Sequence, residues 1–339
     1  MKKKLVIIFS VAIFVAMVLI AGAVAYIFFA PNANKTQLTL IIPKNANFKQ
    51  VTDSLKKNNI LKDYRSFEIA ARIMKYDVQV KCGKYKIGEG ENNRIIIRRL
   101  RQGQHKPVKF TFNNVRTKEQ LAQKTDNIFF FDSKDFYSLL TDSLFLSKYN
   151  LTSDNCLTLF IPNTYEFYYD ITAEEFFENM AKEHKKFWNG QRRAAAEAAE
   201  LTETEVSILA SIVEEENHRN AEKAIIAGLY INRLRKGMNL CADPTVKFAV
   251  GDFTLKRILN THLQIDSPYN TYKYAGLPPG PIRIPEISTI DSVLHYSHHK
   301  YIYMCAKEDF SGYHNFAVSA GQHAANAARY HRALNRRGK

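Results

Sequence analysis

Three consecutive glutamates, Glu214, Glu215 and Glu216, follow directly on an apolar run through Val206, Ile208, Leu209, Ile212 and Val213. A carboxylic acid donates a proton near neutral pH only where burial or a neighbouring negative charge raises its pKa. The chemistry therefore turns on which glutamate faces apolar surroundings. At about 100° per residue, with Ile208 as origin, the apolar positions centre at about 70° and Glu216 falls at about 80°, inside that stripe. Glu214, at about 240°, and Glu215, at about 340°, fall on the far face and the edge. Glu216 is thus the candidate catalytic acid, desolvated or lining a cleft. The same pattern also fits a helix ending at Val213 with three solvated glutamates, and periodicity alone leaves that alternative open.

Further polar candidates stand in three loop-like segments and one helix end. Asp243-Pro244-Thr245-Val246, Tyr269-Asn270-Thr271-Tyr272 and Gly276-Leu277-Pro278-Pro279-Gly280-Pro281-Ile282 are rich in aromatic, amide and proline residues, and Asn232 closes a helical run. Such segments can wall a saccharide cleft, where ring faces stack on sugars and amides bond hydroxyls. Each taken alone also fits an ordinary turn, and Asp243 before proline suits a turn or helix start. Glu166 and Asp243 are the candidates for a second carboxylate, which most glycosidases need. His295, His298 and His299 cluster, with His314 and His323 further on, but no H-E-x-x-H or His-x-His spacing occurs. Cys82, Cys156, Cys241 and Cys305 stand far apart with no C-x-x-C pair and are expected as buried free thiols. No metal site and no cofactor is expected, and no G-x-S-x-G nucleophile elbow is present.

The elements that position these residues follow from periodicity and caps. Thr202 can cap the glutamate-bearing helix with Glu205 in the capping-box position. A second helix over 222–236 carries Ala224, Ile225, Leu229, Ile231 and Leu234 and stops at Gly237. Upstream, the pattern predicts a long helix over 173–188 and an alanine-rich one over 192–200. Residues 37–42 alternate as a strand, helices are expected from Phe48 and over 64–74, a short strand follows over 83–88, and a helix over 94–100 closes near Gly103. This order within about 70 residues is that of a small α+β module. A connecting region spans 107–155, with a strand over 107–112 and helices over 118–126 and 135–148. The fold class read from these elements is α+β, with domains at 1–30, 31–106, 107–155 and 156–339.

The chain has 339 residues, 46% hydrophobic and 24% charged, which excludes a disordered or fibrous protein. Leu5 to Ala30 contains no charged residue and exceeds the roughly 20 residues that cross a hydrocarbon core. Its length and its aromatic end, Tyr26-Ile27-Phe28-Phe29, favour a retained transmembrane helix over a cleaved signal peptide. Lys2, Lys3 and Lys4 precede it and the first acid is Asp53, so the N-terminus is expected in the cytoplasm and the remainder outside. The net charge of +15 favours anionic partners. Export makes an anionic polymer or a lipid surface the expected partner and excludes nucleic acid.

The succession Ser211-Ile212-Val213-Glu214-x-Glu216, Asn232-Arg233-Leu234-x-x-Gly237-Met238-x-Leu240, Asp243-Pro244-Thr245-Val246, Tyr269-Asn270-Thr271-Tyr272, Gly276 to Ile282 and His314-x-Phe316 resembles the endolytic murein transglycosylases, the MltG or YceG-like family. The resemblance covers most of 156–330, and the first module resembles a LysM-like domain. It implies that Glu216 is the catalytic acid, with Glu214, Asn232, Asp243, Tyr269 and Asn270 as supporting or substrate-binding candidates. It implies an enzyme of the plasma membrane, anchored by one span and acting on peptidoglycan glycan strands, with peptidoglycan synthases as candidate partners. Glu216 would protonate the oxygen between MurNAc and GlcNAc, then take the proton of the MurNAc C6 hydroxyl as it closes a 1,6-anhydro ring, ending strand elongation without consuming water. A muramidase-type hydrolase and a non-catalytic wall-binding scaffold are the alternatives. The chain departs from the family pattern by lacking the Glu-Gly that precedes the segment ending in Tyr165, by Asn163 in place of aspartate, and by Asn217 in place of threonine after the acid.

Overall fold

The structure, a computed structural model, describes residues 2–34, 37–217, 219–255 and 257–337. The chain forms two compact units, 1–110 with 127–131 and 166–172, and 111–126 with 132–165 and 173–339. The stretch 107–155 contributes to both.

The first unit begins with α1 (Lys2–Phe29), a helix long and apolar enough to cross a membrane. Then come β1 (Leu38–Ile42), α2 (Phe48–Lys57), α3 (Tyr64–Ile73), β2 (Gly83–Ile87), α4 (Asn93–Gln102) and β3 (Val108–Thr111). Local chemistry explains the boundaries. Asn47, Asp63 and Asn92 each accept a backbone N–H in the first turn of α2, α3 and α4, and Gly103 closes α4 in the left-handed region at φ 69°. β1 and β2 pair antiparallel, with Leu38 opposite Ile87 and Ile42 opposite Gly83. Their inward residues Leu40, Ile42, Tyr85 and Ile87 pack with Val51, Leu55, Phe67, Ile96 and Leu100 into one core. The observed class is mixed α+β, and a strand–helix–helix–strand module was legible in the pattern.

The second unit contains α5 (Lys118–Gln123), α6 (Ser133–Thr141), α7 (Ser143–Ser147), β4 (Thr164–Phe167), α8 (Ala173–Phe187), α9 (Gly190–Ala198), α10 (Glu203–Glu216), α11 (Asn220–Arg235), α12 (Asp243–Val250), α13 (Ile287–Leu294), β5 (Tyr303–Ala306), β6 (His314–Ala317) and α14 (Ala320–Arg336). The chain crosses between the units within both β3 and β4. The single helix expected over 135–148 is two, because Asp142 leaves the helical region at ψ 106° and its side chain accepts from the N–H groups of Leu144 and Phe145 to start α7. Helix α10 is the centre of this unit. Thr202 and Glu205 form the expected capping box, and α11, α12 and α13 pack around the helix. Every residue from Val206 to Glu214 is buried, so α10 has no solvent face until its last turn. Of the four cysteines only Cys156 is buried; Cys241 is exposed and Cys82 and Cys305 are half-buried, which corrects the expectation of buried thiols. All four are free.

Candidate active site

Helix α10 continues to Glu216, so the alternative in which it ends at Val213 does not hold. Asn217 leaves the helical region, and its amide donates 2.6 Å to Glu222 Oε2 while its Oδ1 accepts from the Arg219 N–H. Glu222 in turn accepts from the His314 backbone N–H at 3.0 Å and faces His314 Nδ1 at 2.9 Å. The residue after the candidate acid, where the chain departs from the family pattern, is thus a helix cap tied to a buried carboxylate. That tie holds the end of α10 in place.

The three glutamates have three different surroundings. Glu214 is only 3% exposed; it accepts from the Glu286 N–H at 2.7 Å and pairs with Arg283 at 3.0 Å. Its position at about 240° was expected to face away from the core, but the 282–286 segment covers that side too. Glu215 accepts from Arg283 Nη1 at 2.6 Å and from Arg116 Nη2 at 2.8 Å. Arg283 is itself 5% exposed and also donates to Asn114 Oδ1. Among the described residues no such cation is bonded to Glu216. Its Oε1 accepts a 2.6 Å bond from the hydroxyl of Tyr230, a buried residue of α11. Burial, reinforced by the negative charge of Asp243, pushes the Glu216 carboxyl up to about 7, against the opposing pull of the Tyr230 hydroxyl and the Arg233 guanidinium. At neutral pH a large fraction of this group therefore carries a proton.

Glu216 opens into a groove of about 330 Å³ lined also by Glu215, Asp243, Pro244, Lys247, Leu255, Arg257 and Ile258. Asp243 begins α12, with Pro244 in its first turn, and its Oδ1 accepts a 2.6 Å bond from the Tyr272 hydroxyl. The segments carrying these two residues are stitched together: Thr245 and Thr271 hydroxyls lie 2.8 Å apart, and the Ala242 N–H donates to Thr271 Oγ1. The proline-rich segment is tied to α10, since Ser211 Oγ accepts from the Ile282 N–H at 3.0 Å. Within it Gly280 must be glycine, because a Cβ there would collide with the Asp154 carbonyl oxygen and crowd the Tyr269 hydroxyl.

The other candidate residues hold the scaffold. Asn270 is fully buried and its amide donates at 2.9 Å to the carbonyls of Leu263 and Ile265, while its Oδ1 accepts from the Tyr272 N–H. It shapes the loop that presents Tyr272. Asn232 spends both amide hydrogens on the carbonyls of His299 and Tyr301, at 2.7 and 3.0 Å. Tyr269 packs on Phe248 at 4.7 Å and lines a separate hollow with Arg116, Lys118 and Pro281. Glu166, on β4, is exposed and is not a lining residue of the Glu216 groove. Sequence reasoning passed over Tyr230, whose place in an apolar helix reads as core, and Lys247 and Arg257, which carried no separate signal, and it read Tyr272 only as part of its loop segment.

Residues 40–329 match the YceG-like family. The chain is 28% identical over 303 residues to the endolytic murein transglycosylase of Bacillus subtilis (strain 168), covering 81% of this chain and 80% of that one. It is 24% identical over 309 residues to the endolytic murein transglycosylase of Streptococcus pneumoniae serotype 2 (strain D39), covering 80% of this chain but 55% of that one, about half its length. Among solved structures it resembles a putative YceG-like protein from Listeria monocytogenes, with a TM-score of 0.56 and 24% identity over 86% of this chain and 99% of that one. That likeness shows the shared fold.

Proposed function

This chain belongs to the YceG-like family, and from that premise we propose that it is a membrane-anchored lytic transglycosylase that cleaves peptidoglycan glycan strands endolytically, with Glu216 as the acid and then the base. The observation that carries the reading is the Glu216 carboxyl, pushed up to about 7 while open to a groove. Protonated, it gives its proton to the oxygen leaving C1 of MurNAc; ionised, it takes the proton of the C6 hydroxyl as that oxygen bonds C1 and closes the 1,6-anhydro ring. Tyr230 favours the ionised state, bonding the carboxylate when it forms. Burial keeps Glu216 protonated, and Asp243, held by Tyr272, reinforces it with a negative charge that faces the positive charge developing at C1.

Two homologues that carry the name endolytic murein transglycosylase support the reaction class. Helix α1 supports a single anchor, the lysines before it support an N-terminus in the cytoplasm with the chain after α1 outside, and the β1–α2–α3–β2 order supports a LysM-like reading of the first unit. Nascent strands near the membrane are then the substrate, and cleavage ends their elongation. The test is to incubate the protein with purified sacculi or nascent glycan and identify new chain ends by mass spectrometry. Anhydro-MurNAc ends that vanish with Glu216→Gln support the reading; normal turnover by that variant refutes it. A hydrolase is the second reading, favoured by Asp243 sharing the groove, and it would leave reducing MurNAc ends.

A further inference from the structure

The first unit carries a concavity of about 310 Å³ whose charged lining is entirely lysine: Lys84, Lys86, Lys106 and Lys109, with Thr39 and Asn127 as the polar remainder. Lys84 and Lys86 project from the outer side of β2, opposite the core residues Tyr85 and Ile87, and Thr39 lies across the register from Lys86. Lys106 and Lys109 come from the approach to β3 and from the strand itself. Among the described residues none of the four has an ion pair, and no carboxylate lines the hollow. In the same unit Glu91 pairs with Arg99 at 2.6 Å, and Asp170 lies against Cys82 and His105. Four like charges around one hollow repel one another, so an anion that neutralises them is favoured.

We propose that this hollow binds clustered phosphate, presented by a membrane-attached molecule. Lysine is a mobile point charge suited to a compact multivalent anion, whereas planar carboxylates favour the paired donors of arginine. Pro107, Val108 and Ile128 add an apolar wall to the hollow. The anchor keeps the unit close to the bilayer, because it enters the unit without slack. Asn93 donates to the Ile27 carbonyl of α1 at 2.8 Å, and the buried Asn32 bonds the Asp63 carbonyl and Asn93 Oδ1, each at 2.7 Å. The proposal rests on α1 spanning a membrane, but not on the reaction assigned to Glu216.

Lysine acetylation footprinting on the full chain in nanodiscs tests it. One arm uses neutral phosphatidylcholine discs with added inorganic pyrophosphate, and another uses discs containing phosphatidylglycerol without it. Protection of Lys84, Lys86, Lys106 and Lys109, but not of the exposed Lys49 and Lys57 on α2, in either arm supports the proposal and tells a free phosphate from a headgroup. No protection in either arm, uniform protection of all lysines, or equal protection by a peptide ending in D-alanine carboxylate overturns it. Each lysine removed should weaken binding about fivefold. K84Q/K86Q should therefore lower the affinity of Lys106 and Lys109 for phosphate about 25-fold, and K106Q/K109Q should do the same for Lys84 and Lys86. Because the footprint is read on binding, a failure here leaves the chain-end assay of Glu216 untouched.

Discussion

Two sides of one helix end treat the same side chain in opposite ways. Toward Arg283, Glu214 and Glu215 are charged groups bound by guanidinium forks and backbone N–H, so their burial is compensated. Toward Tyr230, Glu216 meets a hydroxyl and the field of another carboxylate, and its charged form is the one that suffers. A carboxylate that must stay charged receives a cation, and one that must change charge receives a weaker donor. Adjacent residues in one helix thereby sit in opposite electrostatic surroundings, as the role proposed for Glu216 requires.

The comparison breaks most visibly if Glu216 is made a permanent amide. Glu216→Gln should retain the fold, since no buried ion pair is lost, while formation of anhydro ends falls about 10²–10⁴-fold in a chain-end assay. The opposite signature is expected on the other side. Arg283→Met leaves Glu214 buried without its cation and should destabilise the second unit by about 3–5 kcal/mol in denaturant unfolding. Adding Glu214→Gln to Arg283→Met should recover part of that loss, whereas adding Glu216→Gln should recover none.

How far this division was legible is itself physical. Helical phase singled out Glu216, and the last turn of α10 opens on a groove there, but it placed Glu214 outward because a single apolar stripe is not the whole buried surface. A helix covered by α11, α12 and α13 has no outward face, and Arg283 lies too far along the chain for its partnership to show as a pattern. Elements set by local chemistry were readable: the Thr202 box, the Gly103 and Gly237 stops, and the β1 and β2 alternation. Asn232 and Asn270 look like sugar-binding amides in sequence and prove to have their amide hydrogens committed to backbone carbonyls. Only tertiary contacts could reveal that.

Tyr230 sharpens the contrast at smaller amplitude. Its hydroxyl stabilises the charged form of Glu216, so Tyr230→Phe should raise the carboxyl further above about 7. The alkaline limb of the kcat/KM profile, which reports the acid in the free enzyme, should move to higher pH. Stability above that limb should fall by about 1–2 kcal/mol, the worth of a hydrogen bond to a charged group, with little change at pH values where Glu216 is protonated.

The smallest effect is the difference in stability between the native chain and Glu216→Gln as pH is varied. In the unfolded chain the carboxyl loses its proton near 4.5, and in the folded chain near 7. Between these values the folded state holds a proton that the unfolded state has released, so this group's contribution to stability falls as pH rises through the window and levels off above it. Glutamine has no such term, and every other titrating group is common to both proteins. The variant's advantage should therefore be near zero at the acid end, grow across the window and plateau at about 1 kcal/mol once solvent contact through the groove is allowed for. Parallel unfolding curves would measure it. A difference that is flat with pH would mean that Glu216 titrates as a solvated side chain, and the two sides of α10 would then differ in partners but not in electrostatics.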